Sequence, residues 1–317
     1  GLGQAMLERL DEMKAINDRT FEIHLKKPYS VMLAALGTDN CFIMPERIAK
    51  TDAFTQIKEF IGSGPYRFLA DQWVSGSIAA YARWEKYVPV ASGTPDFTAG
   101  PKVAHFDRIE WNIMPDPATA TAALQRGEVD WIEQPIADLL PVLRSASGVK
   151  VVLNDHIGVL PLIALNHLQA PFDNPKVRRA LLPAIDQLSF LQAAKGEETD
   201  LYHAPVGIFT PGLAMANDAG LEVLSGPRNL DQAKKLLSES GYAGEKVTLM
   251  SPSDYPDTAA ICQVTADLFS RIGLNVEYVS MDWGTLVQRR NSHEPVDKGG
   301  WSAFCTTYDG LAVASPA

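Results

Sequence analysis

Basic charge is sparse in this sequence. Lys and Arg together number 28 against 38 Asp and Glu, which gives a formal net charge of −10 at pH 7. The basic residues are scattered, and they form only short doublets such as Lys26-Lys27, Arg178-Arg179 and Arg289-Arg290. Proteins that bind nucleic acid carry a basic face or stripe that neutralises phosphates. The sequence therefore argues against nucleic acid as a partner.

Cysteines and long hydrophobic runs are also scarce. The three cysteines, Cys41, Cys262 and Cys305, lie far apart and form no CxxC motif, so neither a zinc knuckle nor a redox dithiol is indicated. Three cysteines suit a reducing or an oxidising compartment equally well. No uninterrupted apolar stretch reaches the roughly 20 residues that a membrane-spanning helix needs, and none is expected.

The motifs of common catalytic sites are missing. The chain contains no GxSxG, no HExxH, no Walker loop and no GxGxxG, and Gly62-Ser-Gly64 is best interpreted as a turn. The histidines show no spacing typical of a metal site; they are His24, His105, His156, His167, His203 and His293. We therefore expect no enzyme activity, no metal and no cofactor. A hydrolase with dispersed catalytic residues stays open as a lesser alternative.

Size and composition favour a globular chain of more than one domain. At 317 residues it exceeds the length at which a single core usually keeps growing, and 46% hydrophobic with 21% charged residues is ordinary globular composition. The first residues, Gly1 to Leu10, show neither the basic nor the apolar region of a signal peptide. We expect a piece of a longer protein, cut at both ends.

Hydrophobic periodicity predicts an alternation of strands and helices. In the first half we expect a helix through Met6–Met13, strands at Thr20–Leu25 and Phe106–Met114, a helix opening at Asp116-Pro117, and a further strand at Val129–Ile132 that completes a β–α–β unit. In the second half we expect helices capped by Asn174, Asn229 and Asp282, a long helix opened by Asp257 and ended by Gly273, and strands at Val247–Met250, Leu274–Val279 and Gly300–Phe304.

Aromatic residues near the end of the chain are the most informative candidates for ligand binding. Trp301, Phe304 and Tyr308, with Asp309, lie at a predicted strand end, where open α/β sheets bind ligands. Trp and Tyr offer a rigid apolar surface with a polar tip. Core packing is the alternative for Trp301. Trp283, at a predicted helix start, suits the core and a binding cleft equally.

Segments spread over nearly the whole chain resemble the family 5 extracellular solute-binding proteins, the receptors of peptide-, dipeptide- and nickel-type ABC importers. The resemblance rests on ordered agreement, since no single segment is decisive. The matching segments are Thr20–Pro28, Gly62–Tyr66, Asp107–Trp111, Ala123–Asp130, Leu165–Asn166, Pro171–Asn174, Val177–Leu181, Asp231–Tyr242, Ile272–Val276, Asp282–Trp283 and Gly300–Trp301.

The resemblance implies an α/β, two-lobed fold of the periplasmic-binding-protein type II, incomplete at both ends. By that comparison residues 1–155 belong to lobe I, whose N-terminal part is missing. Residues 156–317 belong mainly to lobe II, and the C-terminal return to lobe I is missing. The implied function is that of an extracytoplasmic receptor that captures a peptide or similar small solute between two lobes and delivers it to ABC permease subunits. The implied location is periplasmic, or extracytoplasmic with a membrane anchor.

Two departures from the family bear on the ligand. Peptide-binding members use an acidic residue near the Gly-Trp strand to hold the peptide amino group, and Ala312 occupies that place here. Asp309 is the expected substitute, unless the ligand lacks a free amine. The apolar crossing segment also predicts a partly hydrophobic pocket wall, with Leu160, Leu162 and Asn166 as candidates. A non-transport sensor or a periplasmic chaperone on the same fold is the main alternative function.

Overall fold

The computed structural model describes residues 2–37, 42–52, 55, 57–96, 99–225 and 227–313. The chain divides into two compact units, Gly1–Met114 and Pro115–Pro316. This division between compact units falls earlier in the chain than the predicted lobe boundary at residues 155 and 156. The lobe assignment, which comes from the resemblance alone, stays a prediction.

Unit 1 opens with a helix that leads directly into a β-hairpin. Helix α1 is Leu2–Arg9, strand β1 is Leu10–Asn17, and β1 pairs antiparallel with the predicted strand β2, Thr20–Leu25. The prediction of a helix continuing to Met13 is therefore wrong. Met13 instead lies opposite Ile23, because ladder hydrogen bonds to β2 outweigh a weak helical pattern.

The remainder of unit 1 contains two short helices and a small antiparallel sheet. The helices are α2, Met32–Leu36, and α3, Glu46–Ala49; the strands are β3, Tyr66–Phe68, β4, Ile78–Arg83, and β5, Arg108–Asn112, in the order β3-β4-β5. The predicted strand within residues 106–114 is confirmed. Phe68 lies directly opposite Tyr81, with ring centroids 5.5 Å apart, which adds an aromatic cross-strand pair.

Unit 2 begins with the capped helix that the sequence predicts. The Asp116 side chain accepts a hydrogen bond from the Thr119 backbone N–H, Pro117 opens α4, Pro117–Arg126, and Gly127 ends it at φ 72°. The expected strand at residues 129–132 is wrong, because these residues have no regular structure and Trp131 is 67% exposed. A short helix, α5, Leu140–Ser145, follows instead.

The main sheet of unit 2 has the order β6-β9-β7-β8. Its strands are β6, Val159–Leu165, β7, Lys246–Pro252, β8, Asn275–Met281, and β9, Ala303–Asp309. Strand β7 runs parallel to β8 and β9, whereas β6 runs antiparallel to β9. The three parallel strands consequently end at one edge of the sheet, and β6 starts at that same edge.

Helices cover both faces of this sheet. One face packs against α6, Pro175–Leu181, α7, Gln187–Lys195, α9, Leu230–Glu239, and the long α10, Pro256–Ile272; α8, Glu222–Ser225, is a single turn. The opposite face packs against α11, Trp283–Arg290, through Met250, Leu286 and Phe304. The buried set on the first face is Phe172, Val177, Ala180, Leu181, Ala184, Phe190, Ala233, Leu237, Val247, Leu249, Ile261, Cys262, Leu268, Phe269, Ile272, Leu274, Ala303 and Cys305.

The predicted N-caps of α6, α9 and α11 are confirmed. Asn174, Asn229 and Asp282 each accept a hydrogen bond from a backbone N–H of the first turn. Helix α10 begins at Pro256, one residue before the predicted Asp257, and ends at Gly273 with φ 105°. A position with this left-handed φ strongly favours glycine.

Replacing Asn174 is expected to destabilise unit 2 more than replacing Asn229. The Asn174 side chain caps α6 and also donates from Nδ2 to the Ser240 carbonyl over 2.9 Å, whereas Asn229 caps α9 by accepting from the Gln232 N–H. Asn174→Ala should lower the free energy of unfolding by about 2 kcal/mol, and Asn229→Ala by about 1 kcal/mol. Chemical denaturation measures both.

Asn174→Asp separates the two contributions, because a carboxylate keeps the cap but cannot donate to Ser240. It should therefore retain part of the stability that Asn174→Ala loses. Equal losses for Asn174→Ala and Asn229→Ala would show that the bond to Ser240 contributes nothing.

Candidate functional site

The candidate site lies at the carboxyl edge of the parallel strands in unit 2. Strands β7, β8 and β9 end there at Pro252, Met281 and Asp309, and the chain continues into Ser253–Tyr255, Asp282-Trp283 and Gly310. In open α/β sheets this edge is where ligands bind, because the loops that follow the strands converge there. Below we call it the carboxyl edge.

An aromatic pair stands at the carboxyl edge. The rings of Tyr255 and Trp283 have centroids 5.6 Å apart with an interplanar angle of 57°. Tyr255 is 49% exposed, and Trp283 is half-buried against the core beneath α11. The Asp254 carboxylate accepts a hydrogen bond of 2.9 Å from the Trp283 backbone N–H, which ties the loop after β7 to the start of α11.

Asp282 fixes Trp283 by capping α11. Its carboxylate accepts hydrogen bonds from the Thr285 backbone N–H at 3.0 Å and from the Thr285 hydroxyl at 2.5 Å. The hydroxyl bond first, and then the backbone bond, hold the pKa of Asp282 below its ordinary value because both stabilise the ionised form. The Asp282 carboxylate thus already accepts hydrogen bonds from the first turn of α11.

The end of β9 contributes Tyr308. Leu160 of β6 lies directly opposite Tyr308, and Leu162 lies opposite Thr306. Side-chain alternation places Leu160, Leu162 and Tyr308 on the face that α11 covers, the same face as Phe304. Tyr308 is 46% exposed, whereas Leu160 and Phe304 are buried. Of these four predicted ligand residues, Tyr308 therefore presents the largest accessible surface.

Asp309 lies next to Tyr308 but on the other face of the sheet. It pairs with Val159 across the ladder and is exposed. Gly310 follows it and donates from its N–H to the Gly158 carbonyl over 2.9 Å. A Cβ at Gly310 would collide with the side chains of Thr210 and Ile157, so this position needs glycine. The close approach fixes the backbone just beyond Asp309.

Trp301 and Asn166 lie at the opposite edge of the sheet. Asn166 Nδ2 donates to the Trp301 carbonyl at 2.9 Å, and Asn166 Oδ1 accepts from the Leu168 N–H at 3.1 Å. Trp301 Nε1 donates to the Arg290 carbonyl at 2.8 Å, and its ring packs edge-on against Phe304 at 5.2 Å. Protein groups thus already occupy these polar atoms. A ligand role for either residue stays a prediction.

Sequence reasoning missed Asp254 and Tyr255. The signal that points to them is their position directly after a buried strand and before Pro256, which opens α10. Among the described residues, no cluster of three or more His, Cys, Asp or Glu side chains is suited to hold a metal ion. Within the same ranges no helix is both long and apolar enough to span a bilayer.

Residues 3–308 match the family model of bacterial extracellular solute-binding proteins, family 5, middle region. The chain therefore belongs to this family, and the resemblance inferred from the sequence is confirmed.

Two relatives of known designation match most of the chain. A probable peptide ABC transporter periplasmic-binding protein, y4tO of Sinorhizobium fredii, is 38% identical over 307 residues, which are 96% of this chain and 57% of that protein. The glutathione-binding protein GsiB of Pectobacterium atrosepticum is 27% identical over 310 residues, or 94% and 55% of the two chains. The chain thus spans just over half the length of these relatives, which are substrate-binding proteins.

Solved structures show the same fold. The periplasmic binding protein AgaA of A. tumefaciens R10, solved with agropinic acid, superposes with a TM-score of 0.76 at 20% identity over 98% of this chain and 61% of AgaA. DppA of Helicobacter pylori, solved with the peptide STSA, gives 0.75 at 22% identity over 98% and 58%. The predicted α/β fold of the periplasmic-binding-protein type II is confirmed by these likenesses.

Asn166→Asp is expected to lower the free energy of unfolding by about 2–3 kcal/mol. The substitution replaces the Nδ2 donor by an oxygen that faces the Trp301 carbonyl, and Asn166 is only 7% exposed. Gln169→Glu is the matched control, because Gln169 Nε2 donates to the His293 carbonyl in an exposed position and its loss should cost less than about 0.5 kcal/mol. Equal effects in urea denaturation would contradict a structural role for Asn166.

Proposed function

We propose that the protein carrying this chain is the extracytoplasmic substrate-binding component of an ABC importer, which captures a peptide or a similar small solute and delivers it to the permease. Membership of the family 5 solute-binding proteins over residues 3–308 carries the proposal. The designation of the 38% identical relative as a probable peptide-transporter binding protein supports a peptide as the ligand. In this proposal the protein works by capture and release, without catalysis.

The carboxyl edge is the part of unit 2 that we propose to contact the ligand. Tyr255, Trp283 and Tyr308 offer aromatic surface that stacks on apolar or amide groups at a small cost in side-chain entropy. Asp254 and Asp309 offer carboxylates at the same edge. This combination suits a ligand with an apolar or amide body and a positively charged end, as in a short peptide.

The ligand's amino group is proposed to bind Asp309, the substitute for the acidic residue that the family carries near Ala312. Asp254 is the alternative acceptor for the amino group, because it also lies at the carboxyl edge. Asp309 lies on the face of the sheet opposite Tyr308, whereas Asp254 stands in the loop that positions Trp283. These two carboxylates can be separated experimentally, because replacement of Asp254 by Asn keeps an oxygen for the Trp283 N–H.

Ligand binding is expected to raise the melting temperature of the intact protein. A ligand at 100 times its Kd stabilises the folded state by about 2.7 kcal/mol, which corresponds to a shift of several degrees. The measurement is a thermal-shift screen with di- to pentapeptides, glutathione, opines and metal chelates. A flat response across the whole panel, with binding also absent by calorimetry, would sink the proposal.

Tyr308→Ala is expected to weaken binding about tenfold or more, because it removes the most accessible aromatic ring of β9. Leu168→Ala is the control, since Leu168 is 71% exposed and follows β6 at the opposite edge of the sheet. Calorimetric titration with a peptide found in the screen measures both. Unchanged affinity in Tyr308→Ala would remove this residue from the site while leaving the receptor function intact.

Asp309→Asn should abolish the preference for a peptide with a free amino terminus over its N-acetylated form. Asp254→Asn should leave that preference unchanged if Asp309 is the acceptor. The reverse pattern assigns the amino group to Asp254 and contradicts the proposed role of Asp309. Affinities of the two peptide forms for each variant, measured at pH 7, decide between the carboxylates.

A further inference from the structure

Two buried thiols meet between α10 and β9. Cys262 lies in the middle of α10, Cys305 is the third residue of β9, and both are fully buried. The Cys262 thiol donates to the Met250 carbonyl over 3.6 Å. The Cys305 sulfur lies 3.5 Å from Thr265 Oγ1. Because positions three apart on a helix are neighbours, both sulfurs lie against the same turn of α10.

The two thiols also affect each other's pKa. Interaction with the Cys305 thiol lowers the pKa of Cys262, whereas the interaction with Cys262, followed by burial, raises the pKa of Cys305 well above its ordinary value. Nothing else in the proposed function uses either group. Their positions on a helix and on the strand beneath it are far apart in sequence, so spacing alone does not reveal the pair.

We propose that Cys262 and Cys305 form a disulfide when the protein folds in an oxidising compartment, covalently joining α10 to β9. The proposal does not depend on which ligand the protein binds. It divides the odd number of cysteines into a pair and one remaining cysteine, Cys41, which lies outside the described residues.

The oxidant is a second disulfide, of a small molecule or of a thiol oxidase. The Cys262 thiolate attacks one sulfur of that disulfide and releases the other as a thiolate, which gives a mixed disulfide. The Cys305 thiolate then attacks Cys262 Sγ and releases the second thiolate. The chain loses two hydrogens, and the oxidant is reduced to two thiols. Because both cysteines are sealed in the folded core, we place the exchange during folding, before α10 covers β9.

The cross-link closes a loop of about 40 residues that includes β8 and α11. In the chain-entropy description a loop of this length stabilises the folded state appreciably, so the oxidised protein should melt about 5–10 °C above the reduced one. Helix α10 would then be covalently bonded to β9, which lies between β6 and β7 in the sheet.

The test is peptide mapping of the intact protein, exported into an oxidising compartment and alkylated in denaturant without reduction. The expected result is a linked pair of peptides that carry Cys262 and Cys305, lighter by two hydrogens than the sum of the free thiols, with Cys41 outside the pair. Cys262→Ala and Cys305→Ala should each abolish the linked pair, whereas Cys41→Ala should keep it. Melting before and after reduction measures the stabilisation.

Alkylation of both Cys262 and Cys305 in the exported protein overturns the proposal, and so does a linkage of either one to Cys41. The double variant Cys262→Ala/Cys305→Ala controls for other effects of the reductant, because it should melt at the same temperature with and without reductant. A lower melting temperature for the linked form would also contradict the proposed stabilising role.

Discussion

The architecture of unit 2 depends on the insertion of β9 between β6 and β7. The strand pairs with β6 along all seven of its residues and with β7 at Ala303 and Phe304. Ala303 and Cys305 pack toward the layer that contains α10, whereas Phe304 packs toward α11. A strand with partners on both sides and helices on both faces has little freedom. Strand β9 therefore fixes the position of Tyr308 and Asp309, its last two residues, at the carboxyl edge.

The candidate site is consequently built by rigid elements rather than by long loops. Tyr308 is the penultimate residue of β9, and Trp283 is the first residue of α11, held by the Asp282 cap and by Asp254. Gly310 permits the close passage of the chain past Ile157 and Thr210. Side chains mounted on such elements keep their geometry without a ligand, and preorganisation of this kind limits the entropy lost on binding.

Local signals account for the parts of the fold that the sequence predicted well. Asp116 with Pro117, Asn174, Asn229 and Gly273 mark helix ends, because a cap or a left-handed glycine acts within one turn of chain. Non-local pairing explains the failures. Strand β1 exists because β2 pairs with it, and the expected strand at residues 129–132 lacks a partner in the part of the chain that the structure describes.

The predicted site shows the same division between local and non-local information. The strand expected at Gly300–Phe304 begins later, at Ala303, and continues to Asp309. Because the strand begins only at Ala303, Trp301 and Asn166 lie at the edge of the sheet opposite to Tyr308 and Trp283. The hydrophobic pattern predicts that an aromatic residue lies near a strand. The end of the sheet at which it lies depends on how that strand pairs with its neighbours.

The central place of β9 also imposes an order of assembly on the chain. Strands β6 and β7 end at Leu165 and Pro252, yet the strand that fills the gap between them is completed only at Asp309. Until then both present unpaired backbone edges, which invite pairing with other chains. A polypeptide synthesised from its N-terminus would expose these edges until β9 had been made.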